Sequence, residues 1–399
     1  MNGVTVQPQA IRTLAIFCRV VDNFGDIGIC YRLARQMADE HGLLVTLWVD
    51  DLASFAKICP AVDIDVRSQQ VAGLRVVHWT DDRHENALQP APATEQVADM
   101  VIEFFGCELP AAYLAAMKSS APVWVNLEGL SAEEWVEGCH TLTSPQSGLT
   151  KYFFYPGFTA KTGGLLREAS LLDQRDRFRS DPQLSERFLR GLGVQPAELS
   201  ALRISLFCYA HAPLDALFNA LRDSPTQVLC LVPQGVVNQQ ADAWLGAADV
   251  ASFGSLTLRR IPFVPQHDYD RLLWSCDINF VRGEDSFSRA QWTVAPFVWH
   301  IYPQDQNLHH KKLQAYLQRC TIRSDSMARF WQIWNDVDEA DQDLAAAWNE
   351  FVADRHKLAN MAPPWQEKLL TNGDLATNLM QFSGQIWLKN HQITDPNQL

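Results

Sequence analysis

Residues 13–35 read TLAIFCRVVDNFGDIGICYRLAR. The run 14–20 is apolar enough for a buried strand, and from Ile27 the apolar positions recur at helical spacing. Strand, tight turn and helix in that order open a parallel α/β sheet. The turn, Asp22-Asn-Phe-Gly-Asp-Ile-Gly28, stands where such proteins carry a glycine-rich phosphate loop, yet it matches G-x-G-x-x-G poorly. Its carboxylates, Asp22 and Asp26, would repel a pyrophosphate. They suit a cationic acceptor, held by charge or relieved of a proton. A helix-capping role for Asp26 is the plainer alternative.

Outward from this stretch, apolar and amphipathic segments alternate. Strands are expected at 44–49, 75–79, 100–105 and 123–127, with helices at 27–40, 52–59 and 111–118. Residues 167–200 break the pattern: they are charge-rich, contain Gly-Leu-Gly and two prolines, and read as a linker with a helix near 182–192. The alternation then restarts, with strands at 204–209, 228–232, 256–263, 278–282 and 297–302. Each precedes a helix: one from Pro213, then 238–245, 267–276, 285–293 and 307–320. The remainder, 327–389, is helical by period, with an interruption at Pro363-Pro364.

The expected fold is therefore α/β: two Rossmann-like, doubly wound domains facing across a cleft, with C-terminal helices, the GT-B layout. The domains are expected at 1–166 (acceptor-binding, completed by a helix at about 366–399) and 201–365 (nucleotide-sugar-binding), with 167–200 between them. A two-domain dehydrogenase and a periplasmic-binding-protein-like module share this outline, so function rests on the site residues.

At 399 residues, 47% hydrophobic and 20% charged, the chain can build two cores. No stretch approaches the ~18 apolar residues of a membrane span, and the first residues carry no apolar signal core. Nine cysteines without a CxxC pair fit buried thiols in a reducing cytoplasm better than disulfides or zinc. A net charge of −13 excludes general nucleic-acid binding but leaves room for a small anionic ligand. Trp331 and Trp334 read as core, and His309-His310-Lys311-Lys312 as a solvated helix face rather than a ligand set.

The second half holds a denser constellation. Phe263-Val-Pro-Gln266 ends one strand in a proline-stiffened loop that can offer an aromatic face and an amide to a nucleobase. The next strand ends in Arg282-Gly-Glu-Asp-Ser286, where Arg282 can grip a phosphate in bidentate fashion. Gly283 permits close approach of the backbone, and the amides opening the next helix favour a pyrophosphate. Capping by Asp285 or Ser286 is the alternative reading of either residue alone. Tyr209, at the end of the second domain's first strand, belongs to the same edge.

These residues resemble the EarP family, the elongation factor P protein-arginine rhamnosyltransferases. Asp22-Asn-Phe-Gly-Asp26-Ile-Gly, Phe153-Phe-Tyr-Pro-Gly-Phe158 with Thr162-Gly-Gly164, Phe263-Val-Pro-Gln266 and Arg282-Gly-Glu-Asp-Ser286 carry the resemblance, in order along the chain. It implies inverting transfer of L-rhamnose from dTDP-β-L-rhamnose to an arginine in the N-terminal domain of elongation factor P, in the cytoplasm and with no metal or other cofactor. By that resemblance Asp26 matches the general base, Asp22 the carboxylate that orients the guanidinium, and Glu284 a third catalytic acid. Tyr209, Arg282, Asp285 and Ser286 match positions around the donor diphosphate. Phe263 and Gln266 match positions around thymine, and Asn23, Phe24 and Gly25 are expected at the donor too. Asp305 and Gln306 are further candidates for sugar contacts. A transferase using another nucleotide sugar and a non-protein acceptor is the alternative.

Overall fold

The computed structural model describes residues 11–22, 24–79, 96–146, 148–234, 239–337 and 343–391. The chain divides into two units, 1–168 with 371–399, and 169–370.

In the first unit the order is β1 (Thr13–Cys18), α1 (Gly25–His41), β2 (Leu44–Val49), α2 (Leu52–Ile58), β3 (Ser68–Val71), β4 (Leu74–His78), β5 (Met100–Phe104), α3 (Ala111–Ser120), β6 (Val123–Leu127), α4 (Trp135–Cys139), β7 (Thr143–Gln146) and β8 (Leu149–Phe154). The strands form one sheet in the order β3-β4-β2-β1-β5-β6-β8-β7. All central pairs are parallel, and the edge strands β3 and β7 pair antiparallel to β4 and β8. Leu14 through Cys18 are buried, as expected of a strand covered on both faces. α1 ends at Gly42, which takes the left-handed conformation (φ 68°) that closes a helix cheaply only without a Cβ.

This unit is completed from the far end of the chain. The C-terminal helix, Leu375–Asn390, is capped by Asp374, which also accepts a hydrogen bond from Gln36 of α1. The Leu375 N–H donates to the Leu165 carbonyl, and Asn378 Nδ2 donates to that of Gly163. Gly163 is tightly enclosed: a Cβ there would lie 2.3 Å from the Phe154 ring.

The second unit runs α5 (Leu171–Ser180), α6 (Pro182–Gly191), β9 (Leu202–Leu206), α7 (Leu214–Arg222), β10 (Val228–Pro233), α8 (Gln239–Leu245), β11 (Val250–Phe253), β12 (Leu256–Ile261), α9 (Gln266–Ser275), β13 (Ile278–Arg282), α10 (Asp285–Ala290), β14 (Phe297–His300), α11 (Leu308–Arg319), α12 (Asp325–Trp334), α13 (Leu344–Ala353) and α14 (Arg355–Leu370). Its sheet has the order β11-β12-β10-β9-β13-β14 and is parallel apart from the edge strand β11.

Three expectations need correction. Residues 169–200 are not a linker: they belong to the second unit, where Leu189 and Val194 share a buried cluster with Leu229, Leu231 and Leu272. Arg175 is buried there too, donating to the Trp292 carbonyl and Gln366 Oε1. Pro363 and Pro364 do not interrupt the tail but lie inside α14. The lost backbone bonds are outweighed by burial of Leu358, Ala362, Trp365 and Leu369, and by Gln366 bonding the carbonyls of Gln291 and Thr293. Strands β3, β7, β8 and β11 were not anticipated. The nine cysteines are all free, and all but Cys139 are buried. Trp331 and Trp334 are fully enclosed in the core.

Candidate active site

In the first sheet, β1 lies between β2 and β5, so the chain leaves it to one side and later returns on the other. Loops at the carboxyl ends of such diverging strands leave room for a ligand. The β1–α1 loop sits at that point. Asp26, in the first turn of α1, is 4% exposed, and its Oδ2 accepts the N–H groups of Val21 (2.7 Å) and Asp22 (2.8 Å). These bonds run backwards into the loop, while the N-cap is Phe24 with no side-chain cap bond. Asp26 therefore fixes the loop rather than capping the helix, leaving Oδ1 as the atom able to meet a ligand.

Gly25 closes the turn by donating its N–H to the Asp22 carbonyl at 2.7 Å. A Cβ on Gly25 would come within 2.9 Å of Asp22 Oδ2, so glycine is what lets that carboxylate lie over the turn. The Phe24 ring packs under the Lys57 ammonium at 5.6 Å. Asn23 lies outside the described residues.

Burial pushes the Asp26 carboxyl above its ordinary range, against the two backbone N–H bonds that favour its charge; the charges of Asp22 and Asp50 push it further. Asp50 is an addition to the expected residues. It follows β2, its Oδ1 accepts the Val20 N–H at 2.9 Å, and burial raises its own carboxyl. Its position after the strand next to β1 was the available signal.

The second sheet repeats the arrangement, with β9 between β10 and β13. The Arg282 guanidinium lies 4.8 Å from the Tyr209 ring centre and 4.4 Å from that of Phe207, and its Nη1 donates to the Cys208 carbonyl at 3.0 Å. The Ser286 hydroxyl donates to the Arg282 carbonyl and accepts from the Arg282 N–H, so it pins the β13–α10 turn. Asp285 Oδ2 accepts from both Gln266 Nε2 and Arg289 Nε, each at 3.1 Å, joining the α9 start to the same turn. Neither Asp285 nor Ser286 is the N-cap; that is Glu284, half-buried and without a side-chain cap bond. α10 spans only six residues, so Arg282 and local amides, more than a helix dipole, make this turn receptive to an anion.

Phe263 is half-buried in the β12–α9 loop, while Asp305 and Gln306 are exposed in a short 3-10 turn. Two histidines escaped notice in the sequence. His300 ends β14, and its Nε2 lies 2.9 Å from Nε2 of His211, in the loop after β9. His309 and His310 are half-buried rather than on a solvated face: His309 Nδ1 accepts from the Gln304 N–H and His310 Nε2 bonds the Asn335 carbonyl. Among the described residues no group of three or more His, Cys, Asp or Glu side chains is arranged to hold a metal ion, and no helix is long and apolar enough to cross a membrane.

Two twisted, mostly parallel sheets, each with a polar loop set at its switch point, and a C-terminal helix returning to the first unit define a glycosyltransferase of the GT-B class. Residues 14–384 match the family model described as "Elongation-Factor P (EF-P) rhamnosyltransferase EarP". The chain belongs to the EarP family. It is 48% identical to a protein-arginine rhamnosyltransferase of Pseudomonas putida, covering 93% of this chain and 98% of that protein. The counterpart in Pseudomonas aeruginosa is 43% identical, over 94% and 99%. A solved structure reported as the structural basis for EarP-mediated arginine glycosylation of translation elongation factor EF-P superposes with a TM-score of 0.63 at 36% identity, covering 93% of this chain and 98% of that one. The glycosyltransferase VinC, solved with dTDP, shares the fold at a TM-score of 0.51 and 12% identity, over 94% and 99% of the two chains.

Proposed function

We propose that this chain transfers L-rhamnose from dTDP-β-L-rhamnose to an arginine side chain of elongation factor P, in the cytoplasm, with inversion at the anomeric carbon. Rhamnose transfer to a protein arginine follows from the family. The observation that carries the acceptor chemistry is the acidic β1–α1 loop: a buried carboxylate, Asp26, held beside Asp22 where a nucleotide-binding domain would offer amides to phosphate.

A guanidinium is a cation at neutral pH and a poor nucleophile, and a carboxylate cannot remove its proton in the ground state. Asp22 and Asp26 instead hold it by charge-assisted hydrogen bonds and localise its charge on the distal nitrogens. As the attacking nitrogen bonds to the anomeric carbon, its N–H becomes acidic and Asp26 Oδ1 takes the proton. The carbon–oxygen bond to the diphosphate breaks on the opposite face, and its electron pair leaves with dTDP. Arg282 and the amides of the β13–α10 turn stabilise that charge, with no role required of a metal. Phe263 and Gln266 receive the thymine, Glu284 supplies a third carboxylate, and Phe24 and Gly25 shape the acidic β1–α1 loop.

Intact mass spectrometry of elongation factor P incubated with the protein and dTDP-rhamnose tests this. A gain of one deoxyhexose, mapped to arginine, is expected. An unmodified acceptor, or a sugar on another residue type, overturns the proposal.

A further inference from the structure

The two histidines at the carboxyl edge of the second sheet fix each other's protons. His300 is 1% exposed, and its Nδ1 accepts the backbone N–H of Tyr209 at 3.2 Å. A nitrogen that accepts carries no proton, so the proton of neutral His300 resides on Nε2. That atom lies 2.9 Å from Nε2 of His211, which must therefore accept, and the His211 proton sits on Nδ1. Burial and the neighbouring Arg282 and His211 hold the His300 imidazole neutral, which keeps this order in force.

His211 itself is exposed, and its ring lies parallel to that of Tyr209, with 7° between planes and 5.9 Å between centres. The Arg282 guanidinium lies against the same Tyr209 ring, 4.8 Å from its centre. In strand register Arg282 is paired with His300, and the Gly283 N–H donates to the His300 carbonyl at 3.2 Å. One tyrosine thus packs against both a cation and a neutral ring, and the tautomer of that ring is set by its bond to His300. A cation and a neutral N–H donor that both pack on one tyrosine are chemistry for an anionic oxygen, not for a nucleobase.

We infer that His211 is a diphosphate-binding residue: its Nδ1–H donates to a phosphoryl oxygen of the bound sugar nucleotide, and His300 is the positioning residue that holds that proton in place. The bond tightens as the departing diphosphate gains charge, and no proton moves. The inference rests on the donor class proposed above.

The test compares wild type, His211→Phe and His211→Asn by calorimetry with dTDP and with thymidine, and by transfer rate at saturating donor. Phenylalanine keeps the stack on Tyr209 and removes the donor; asparagine restores an N–H near the Nδ1 position. Losing a hydrogen bond to a charged group weakens binding by about tenfold or more. His211→Phe should lose that factor for dTDP, keep its thymidine affinity and transfer more slowly, and His211→Asn should recover most of both losses. Nitrogen-15 spectra should show the proton of His211 on Nδ1 and that of His300 on Nε2. Unchanged dTDP affinity in His211→Phe, parallel loss of thymidine, or the opposite tautomers overturn the inference alone. A wild-type chain that does not bind dTDP overturns the donor assignment as well.

Discussion

In the proposed reaction Asp26 meets two opposing demands: it would act as an anion toward a guanidinium, and it is buried where charge is costly. Its raised carboxyl pKa records that conflict. A carboxyl raised in the folded state takes stability away above its native pKa, and that loss vanishes as pH falls to the unfolded value. Asp26→Asn should therefore fold and melt no lower than wild type at neutral pH, because amide Oδ1 can still accept the Val21 and Asp22 N–H groups. The melting difference should close on acidification, and transfer to the acceptor should be largely lost. A variant that melts well below wild type, or transfers at a comparable rate, removes Asp26 from this role.

Asp50 tunes the same group from the neighbouring strand. Its charge raises the Asp26 carboxyl, and its own bond to Val20 would survive as an amide. Asp50→Asn should move the acid limb of the kcat/KM profile to lower pH and leave the alkaline limb in place. An unmoved acid limb would mean that another group sets it. The Asp22/Asp26 pair was legible because two like charges in a short turn contradict the phosphate-loop pattern. The histidine pair was not, since His211 and His300 lie far apart in sequence and meet only once β9, β13 and β14 align.

At the scale of elements, what was legible is what burial dictates. β1, β2, β5, β6, β10 and β13 are apolar runs covered on both faces, and their positions follow from composition. β3 (SQQV), β7 (TSPQ) and β11 (VASF) are short strands at sheet edges, two of them largely polar. An edge strand is held by backbone bonds to one neighbour and needs no apolar pattern, so nothing in its side chains announces it. The proline pair in α14 misled for the opposite reason: a local rule was overridden by packing.

The Phe153–Phe158 and Thr162–Gly164 motif turns out to be a joint between elements. Its glycines admit Phe154 and the backbone of Gly373, and they seat the C-terminal helix. Gly163→Ala would force a methyl group into the Phe154 ring, with Leu375 3.2 Å away. Overpacking of this kind costs about 1–3 kcal/mol, so chemical denaturation should show that loss in the first unit, with dTDP binding retained. Wild-type stability in this variant would mean the joint has slack that the structure does not show.

For the whole molecule, the notable feature is that the first unit is made of residues 1–168 and 371–399, with the second inserted between them. Translation reads the chain in one direction, so the carboxylate-bearing sheet emerges early and waits while about 200 further residues are made. At roughly 5–20 residues per second that interval is on the order of ten to forty seconds. Throughout it the seat of the C-terminal helix, including Leu165 and Gly163, has no occupant. The second unit, whose segments are contiguous, can finish first. A chain ending at Leu370 should accordingly bind dTDP yet show little hydrogen-exchange protection in β1, β5 and α1; full protection there would show that the early segment folds unaided. An enzyme that modifies a translation factor would in that case be one whose carboxylate-bearing unit becomes competent only after the whole of its other unit has been translated.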